Sequence, residues 1–376
     1  MHPAGLEPAT FSLRNRSSIY LSYGCTFEIL YSVAKFCKAM KILYLTGLFF
    51  IIGFFASAAS AQWMKQTVNT TEAFRGLSVV SEKIVWASGT GGTVIRTIDG
   101  GVTWNVIKVP GAEKLDFRDI EAFDANTAYI LSIGNGDTSR IYKTMDGGAT
   151  WKQQFLNENK DAFFDAIACW DRNNCLAMSD PVGGNYLLIS TTDGETWKPI
   201  ISQKPAAAAT GEAAFAASGT CLITSGKTGA FIVSGGDAAR VFHTRDRGLN
   251  WAVVNSPIVY GTSGSGIFSI AMFDAKNGVI VGGNYEKPAE NKANLALTSD
   301  GGTTWVAGKG LGGYRSGVAY VDSKTIVAVG TGGSDMSVDG GKTWTNLDKV
   351  NYNAVQAKGK KAVWAVGPTG YVAKLN

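Results

Sequence analysis

The sequence predicts an all-β protein folded as a seven-bladed β-propeller, and three observations support this fold class. A turn motif that ends in Trp recurs six times, with the Trp residues 39 to 54 positions apart. Several copies follow a short strand-like run, such as TVIRT before Asp99. The two ends of the chain supply complementary parts of one more repeat. Because about 40–50 residues make one propeller blade, these observations together indicate seven blades.

The repeated motif reads as a tight turn between two strands. Its six copies are TIDGGVTW (97–104), TMDGGATW (144–151), TTDGETW (191–197), TRDRGLNW (244–251), TSDGGTTW (298–305) and SVDGGKTW (337–344). Gly permits positive φ in the turn, while the Asp carboxylate accepts backbone N–H groups and the Ser/Thr hydroxyl caps it. The Trp begins the returning strand and has enough surface to pack the turn onto the blade.

This motif resembles the Asp box, also called the bacterial-neuraminidase repeat. The resemblance implies that its residues form turns and do not catalyse. The residues concerned are Asp99, Trp104, Asp146, Trp151, Asp193, Trp197, Asp246, Trp251, Asp300, Trp305, Asp339 and Trp344. The third copy is one residue shorter than the others, and the fourth has Asn250 where Thr is expected. We expect both copies to form the turn.

Both chain ends contribute to the seventh blade. Trp63 stands where the Trp after a box would stand, and GPTGYVAKLN (367–376) matches GTGGTVIRT (89–97) but stops where a box would begin. We therefore expect three strands of the last blade to come from the C-terminus, with the mature N-terminal strand closing it. Such closure leaves no open sheet edge.

The first 61 residues predict export. Lys41 precedes an apolar run over 42–55, and Ala59-Ser60-Ala61 has the form that signal peptidases cleave. We expect residues 1–39 to be spurious upstream translation, 40–61 a signal peptide and 62–376 the propeller. The protein would then be periplasmic or extracellular, or membrane-anchored if the signal is not cleaved.

An exported chain can form disulfides. Cys169 and Cys175 flank WDRNN, a turn-like stretch that would place them opposite each other in a hairpin. Cys169 and Cys175 are therefore the disulfide candidates. The alternative is that these two cysteines and Cys221 are all buried free thiols.

Composition excludes several functions. The formal net charge is +5, and most of the excess lies before residue 62, so the near-neutral body predicts no nucleic-acid partner. Only His2 and His243 are present, which argues against a His-rich zinc site. The GKGLGG segment (308–313) precedes a strand-like run instead of a helix, so we expect no dinucleotide cofactor and no metal.

Glycoside hydrolysis is the main alternative function, because Asp boxes occur in sialidases and in xyloglucanase-type enzymes. The Arg-Ile-Pro segment of sialidases does not occur here, and the xyloglucanase-type enzymes use two facing propellers. A hydrolase needs a facing carboxylate pair, for which Asp119 and Asp165 are the candidates. A glycan-binding module that uses the loop over 284–294 is a further alternative.

Residues 62–376 resemble the photosystem II stability/assembly factor family. The resemblance rests on the boxes, on FRDIEAFDANTAYILSIGNG (117–136) and on the seven-blade closure. It implies an exported, non-catalytic scaffold that chaperones or docks a protein client, such as a membrane or exported protein.

The first strand of each blade lines the central channel, so its second residue is a candidate binding position. Alignment of these strands gives Arg75, Arg118, Asp165, Ala213, Phe268, Arg315 and Asn353. Through the closure, Arg315, Asn353, Arg75 and Arg118 would form one arc beside Asp165. We predict a cationic docking mouth for carboxylates of a protein partner. The alternative, that each Arg bonds local carbonyl groups, stays open.

Overall fold

The strands of this protein form seven antiparallel sheets arranged as blades, which confirms the predicted fold class. The computed structural model describes Lys35, Lys38 and residues 61–376. The predicted upstream extension and signal peptide therefore lie outside the described residues, apart from Lys35, Lys38 and Ala61. Among the described residues, no helix is long and apolar enough to cross a membrane. Residues 61–376 contain one helical turn, the 3-10 helix Gly136–Thr138.

The first three blades follow each other along the chain, each built as an antiparallel meander from the channel outwards. Blade 1 comprises Phe74–Val79, Val85–Gly89, Thr93–Thr97 and Asn105–Lys108. Blade 2 comprises Phe117–Ala122, Ala128–Ser132, Arg140–Thr144 and Lys152–Leu156. Blade 3 comprises Phe164–Asp171, Asn174–Val182, Asn185–Thr191 and Lys198–Pro199.

Blades 4 to 6 repeat this plan with one addition. Blade 4 comprises Leu222–Ser225, Gly229–Val233, Arg240–Thr244 and Trp251–Asn255. Blade 5 comprises Thr262–Met272, Gly278–Asn284, Leu295–Thr298 and Val306–Ala307. The short strands Gly235–Gly236 and Glu212–Ala213 extend the blade 5 sheet beyond its inner strand. Blade 6 comprises Gly317–Tyr320, Ile326–Gly330, Gly333–Ser337 and Thr345–Asp348.

Blade 7 closes the ring as the sequence predicts. Its inner strands are Ala354–Ala357, Val363–Val366 and Val372–Leu375, and its outer strand is Trp63–Lys65. In this pairing Trp63 lies opposite Leu375, and the Asn376 N–H donates to the Gln62 carbonyl at 3.1 Å. The indole Nε1 of Trp63 also donates to Ser334 Oγ of blade 6 at 2.9 Å.

The hydrophobic core lies between neighbouring blades. One cluster joins Leu77 of blade 1 to Trp364 and Val366 of blade 7, and another joins Trp86 of blade 1 to Ile130 of blade 2. Each sheet therefore buries both faces against its neighbours, and the continuous ring of contacts makes the blades mutually dependent.

The Asp boxes are the turns between third and outer strands. In the first box, Asp99 Oδ1 accepts the Thr103 N–H at 2.9 Å, Asp99 Oδ2 accepts the Thr103 hydroxyl, and Thr97 Oγ1 accepts the Gly101 N–H. These hydrogen bonds lower the pKa of Asp99 to about 2. In the fourth box Asn250 replaces Thr without loss of the pattern, because its backbone and side-chain amides both donate to Asp246.

Candidate binding site at the channel mouth

A β-bulge interrupts the inner strand in four blades, at its second residue in blades 1, 2 and 3 and further along the strand in blade 5. The pairing register shifts at Arg75 in blade 1, Arg118 in blade 2, Asp165 in blade 3 and Phe268 in blade 5. A bulge bends the strand and redirects the extra side chain. These four side chains all line one cavity of about 440 Å³ at the end of the channel where the inner strands begin. We call this cavity the channel mouth.

Two guanidinium groups form the cationic side of the channel mouth. Arg75 and Arg118 are both half-buried. Arg75 Nη1 donates to the Ala217 carbonyl at 3.1 Å, and Arg118 Nη1 donates to the Ala216 carbonyl at 3.2 Å. Arg118 also pairs with Asp116 through Nε at 2.7 Å. An Arg side chain has five N–H donors, so both groups retain donors for an occupant of the cavity.

The two positive charges influence each other. Burial lowers the pKa of Arg75, and the charge of Arg118 lowers it further. Because both side chains remain charged, an anionic group in the channel mouth would reduce their repulsion.

Two carboxyl groups line the channel mouth beside the arginines. Asp165 is 1% exposed, and its Oδ2 is buried without a hydrogen-bond partner among the described residues. Burial raises the pKa of Asp165 well above its usual range, and the charge of Asp180 adds to this effect. Burial also raises the pKa of Asp180 to about 6, although the Ala214 N–H donates to its Oδ1 at 2.8 Å. Asp180 was not among the predicted site residues, since it lies in the second strand of blade 3 and not in a first strand.

An aromatic wall faces these charged groups. The rings of Phe215 and Phe268 stack with centroids 3.8 Å apart, and Tyr314 meets Phe268 edge-on at 4.7 Å. Tyr285 lies edge-on to Phe215 at 6.5 Å. The channel mouth thus combines donors, acids and an apolar surface, but only Phe268 of this wall lies at an aligned sequence position.

Asn353 lines the channel mouth as predicted, but its amide already has a structural role. Its Nδ2 donates to the Phe74 carbonyl at 2.8 Å, which joins blade 7 to blade 1. Asn353 is 8% exposed, so its side chain forms part of the cavity wall and does not act as a free hydrogen-bond donor.

The predicted placement of Arg315 in the arc is wrong. Arg315 is fully buried and forms an ion pair with Asp335 inside blade 6, with its Nε 2.8 Å from Asp335 Oδ2. Ser316, the next residue, lines the channel mouth instead. The strand register in blade 6 is therefore one residue away from the alignment, and such a shift moves a side chain to the other face.

The alignment was also wrong in blade 4. The inner strand is Leu222–Ser225, whereas Ala213 lies in a short strand that belongs to the sheet of blade 5. Ala213 therefore does not occupy the inner-strand position, because residues 200–221 form an insertion before blade 4 starts.

Asp119, the other carboxylate considered for hydrolysis, is a buried link between blades. Its two oxygens accept the Ile120 and Ile167 N–H groups, each at 2.8 Å. Burial raises the pKa of Asp119 to about 7. Asp119 does not line the channel mouth, so it does not face Asp165 across that cavity.

Cys169 and Cys175 lie opposite each other in the hairpin of blade 3 and are joined by a disulfide, while Cys221 is a free buried thiol. Among the described residues, no group of three or more His, Cys, Asp or Glu side chains could hold a metal ion.

The fold and this site define a class of protein, a seven-bladed Asp-box β-propeller with a mixed cationic and aromatic channel mouth. A family model described as photosynthesis system II assembly factor YCF48 matches residues 55–232. This match supports the photosystem II assembly factor-like family of β-propellers, in agreement with the resemblance seen in the sequence.

Solved structures agree with this fold. A structure of YCF48 bound to D1 peptide has a TM-score of 0.61 at 18% identity, covering 83% of this chain and 95% of that one. YCF48 from Cyanidioschyzon merolae has a TM-score of 0.60 at 18% identity, covering 84% and 99%. The GH74 enzyme of Niastella koreensis has a TM-score of 0.57 at 15% identity, covering 83% and 53%. No curated protein matches the sequence.

Proposed function

We propose that this chain is a non-catalytic scaffold whose channel mouth binds a segment of a protein partner. The observation that carries the proposal is the cavity in which Arg75 and Arg118 face the stacked rings of Phe215 and Phe268. A protein segment supplies both kinds of complementary group, since its carboxylates suit the guanidinium donors and its apolar side chains suit the aromatic wall.

The cost of assembling the channel mouth supports a carboxylate-bearing occupant. Burial and the charge of Arg118 lower the pKa of Arg75, and among the described residues only Arg118 of the two has a carboxylate partner, Asp116. An acidic segment would neutralise this excess and would use donors that the protein leaves free. One similar structure is described as YCF48 bound to D1 peptide, which supports a peptide segment as the kind of partner.

The test is affinity capture of partners with the mature chain, residues 62–376, and with the double variant Arg75→Ala/Arg118→Ala. We expect the variant to keep its circular dichroism spectrum and to lose at least about 90% of the captured partner, because each charged hydrogen bond contributes roughly 1.5–3 kcal/mol. Arg172→Ala is the matched control. Arg172 directly follows the inner strand of blade 3, at the end away from the channel mouth, and it pairs with Asp124. Equal capture by the double variant would refute the proposal.

We also propose that the protein acts outside the cytoplasm. The signal-like segment over 41–61 and the bond between Cys169 and Cys175 support this location. N-terminal sequencing of the secreted protein should give Gln62 first. A secreted chain that begins before Met40 would contradict the proposed start site.

Glycoside hydrolysis is a second candidate, favoured by one observation: Asp165 and Asp180 line the same cavity and both have a raised pKa. Hydrolases need such a carboxyl pair, with one member protonated. Turnover of a chromogenic glycoside that disappears in Asp165→Asn and in Asp180→Asn would replace the scaffold proposal. We expect no turnover.

A further inference from the structure

A second cavity, of about 720 Å³, lies between blades 4 and 5 on the side of the Asp boxes. Its walls come from the hairpin turn over 226–228 and the box of blade 4, and from the hairpin turn over 273–275 of blade 5. It is separate from the channel mouth, with which it shares no lining residue. We call it the inter-blade groove.

The corresponding gap between blades 1 and 2 is filled by an arginine. Arg96 lies over the ring of Trp86, its cross-strand neighbour, at 5.2 Å. Its Nη1 then donates to the Ala125 carbonyl of blade 2 at 2.6 Å. A lysine fills the gap between blades 2 and 3 in the same way, because Lys143 lies over Tyr129 and donates to the Gly194 carbonyl at 2.8 Å.

Blade 4 has the same framework without the long cation. Phe231 pairs with His243 in the register of Trp86 and Arg96, and His243 immediately precedes the box Thr, as Arg96 does. The blade 5 turn also matches, since Phe273-Asp274-Ala275 repeats the sequence Phe123-Asp124-Ala125.

The shorter side chain of His243 leaves this space open. Its ring lies 6.1 Å from that of Phe231, and its Nδ1 is buried without a hydrogen-bond partner among the described residues. His243 therefore leaves open the space that Arg96 and Lys143 fill at the same strand position of blades 1 and 2.

The charges around the groove are mainly positive. Lys227 and Arg245 line it, both are exposed, and neither has an ion-pair partner among the described residues. The acid that faces them is Asp274, whose Oδ1 accepts the N–H groups of Lys276 and Asn277 within its own turn. Burial lowers the pKa of His243, and the charge of Arg245 lowers it further, so the imidazole is neutral at pH 7.

The floor and sides of the groove are apolar. Phe231 is almost fully buried behind it, Met272 is partly buried, and Phe273 is 44% exposed at the rim. A flat apolar body can contact these side chains while an attached anionic group reaches the two cations.

We infer that the inter-blade groove is a binding site for a small organic anion with a flat apolar body, held by Lys227 and Arg245 at the rim and by Phe231 within. The ring of the ligand occupies the space that Arg96 fills between blades 1 and 2. The inference does not depend on the function proposed for the channel mouth.

The test uses 1-naphthalenesulfonate as the probe and isothermal titration calorimetry as the assay. The titrations use Arg75→Ala/Arg118→Ala protein, so that the cationic channel mouth does not contribute. We expect saturable binding, and a loss of about tenfold or more in affinity when Lys227→Ala and Arg245→Ala are added. Adding His243→Arg instead should abolish binding, because the new side chain would fill the groove as Arg96 fills its own gap.

Two controls distinguish this site from non-specific binding. Lys83→Ala removes a lysine from the equivalent hairpin turn of blade 1 and should leave the affinity unchanged. The cation 1-naphthylmethylammonium has the same ring system and should bind at least about tenfold more weakly. Absence of sulfonate binding, stronger binding of the cation, or affinity unaffected by both groove variants would overturn the inference. If the His243→Arg variant does not fold, the Lys227 and Arg245 variant decides alone.

Discussion

Replacement of Trp63 by Ala should weaken the closure of the ring more than any other single change in the N-terminal strand. Trp63 is 8% exposed, its ring lies 5.3 Å from that of Tyr352, and its Nε1 donates to Ser334 Oγ. It therefore joins blade 7 to blade 6 as well as covering the outer edge of its own sheet.

The size of the effect follows from the burial. An aromatic side chain buries about 150–250 Å², which at about 25 cal/mol per Å² corresponds to roughly 4–6 kcal/mol. Measured Trp-to-Ala changes in cores cost about 3–5 kcal/mol, and the lost hydrogen bond adds about 1 kcal/mol. We expect Trp63→Ala to lower the free energy of unfolding by about 4 kcal/mol.

Urea unfolding of residues 62–376, followed by far-ultraviolet circular dichroism, measures this loss. Met64→Ala is the control, because Met64 lies in the same strand but is 48% exposed, and it should cost less than about 1 kcal/mol. Trp63→Phe should fall between them, since it keeps an aromatic ring and removes the donor to Ser334. Equal effects of Trp63→Ala and Met64→Ala would refute the account of closure.

Three further predictions concern buried charge and pH. Arg315→Met should cost about 3–5 kcal/mol in urea unfolding, because it leaves Asp335 buried without its cation; a loss below 1 kcal/mol would contradict the ion-pair assignment. The box carboxylates such as Asp300 have a pKa of about 2 when folded, against about 3.9 unfolded, so their stabilisation is complete above pH 4 and is lost as the pH falls towards 2. A urea midpoint that stays constant from pH 5 to pH 2 would show that the boxes do not contribute in this way. Burial raises the pKa of Asp180 to about 6, so this carboxyl group becomes charged beside Asp165 as the pH rises through 6, and the affinity for an acidic partner segment should then fall. Asp180→Asn should flatten this pH profile of affinity. An identical profile in the variant would exclude Asp180 as the cause.

The blades and their closure could be predicted because they depend on contiguous motifs. Each Asp box carries its own acceptor, its hydroxyl and its Gly, so the turn forms wherever the motif occurs. The match between 367–376 and 89–97 identified the last blade because both segments form the turn after a second strand and the third strand that follows it.

The channel mouth could be predicted only in part. Arg75, Arg118, Asp165 and Asn353 do line one cavity, but Arg315 is buried because the blade 6 register differs by one residue. A bulge shifts the register without changing the alternation of polar and apolar residues, so the residue pattern does not determine which side chain enters the channel.

Other site residues come from segments that do not repeat. Phe215 belongs to the insertion before blade 4, and Asp180 lies in the second strand of blade 3, so neither occupies an aligned position. The groove at His243 had a sequence signal, since it is the third-strand position that holds Arg96 and Lys143 in other blades. The exchange of a long cation for His indicates an open groove only when the cross-strand pairs, Trp86 with Arg96 and Phe231 with His243, are known.

Site-specific photocrosslinking tests the central claim, binding of a protein segment at the channel mouth, most directly. A benzophenone side chain is placed either at Thr331, which is exposed and lines the channel mouth, or at Val102, which is 82% exposed in the Asp-box turn of blade 1. We predict that the captured partner crosslinks from position 331, that Arg75→Ala/Arg118→Ala removes this crosslink, and that position 102 gives none. A partner that crosslinks from position 102, or from position 331 regardless of the two arginines, would contradict the account.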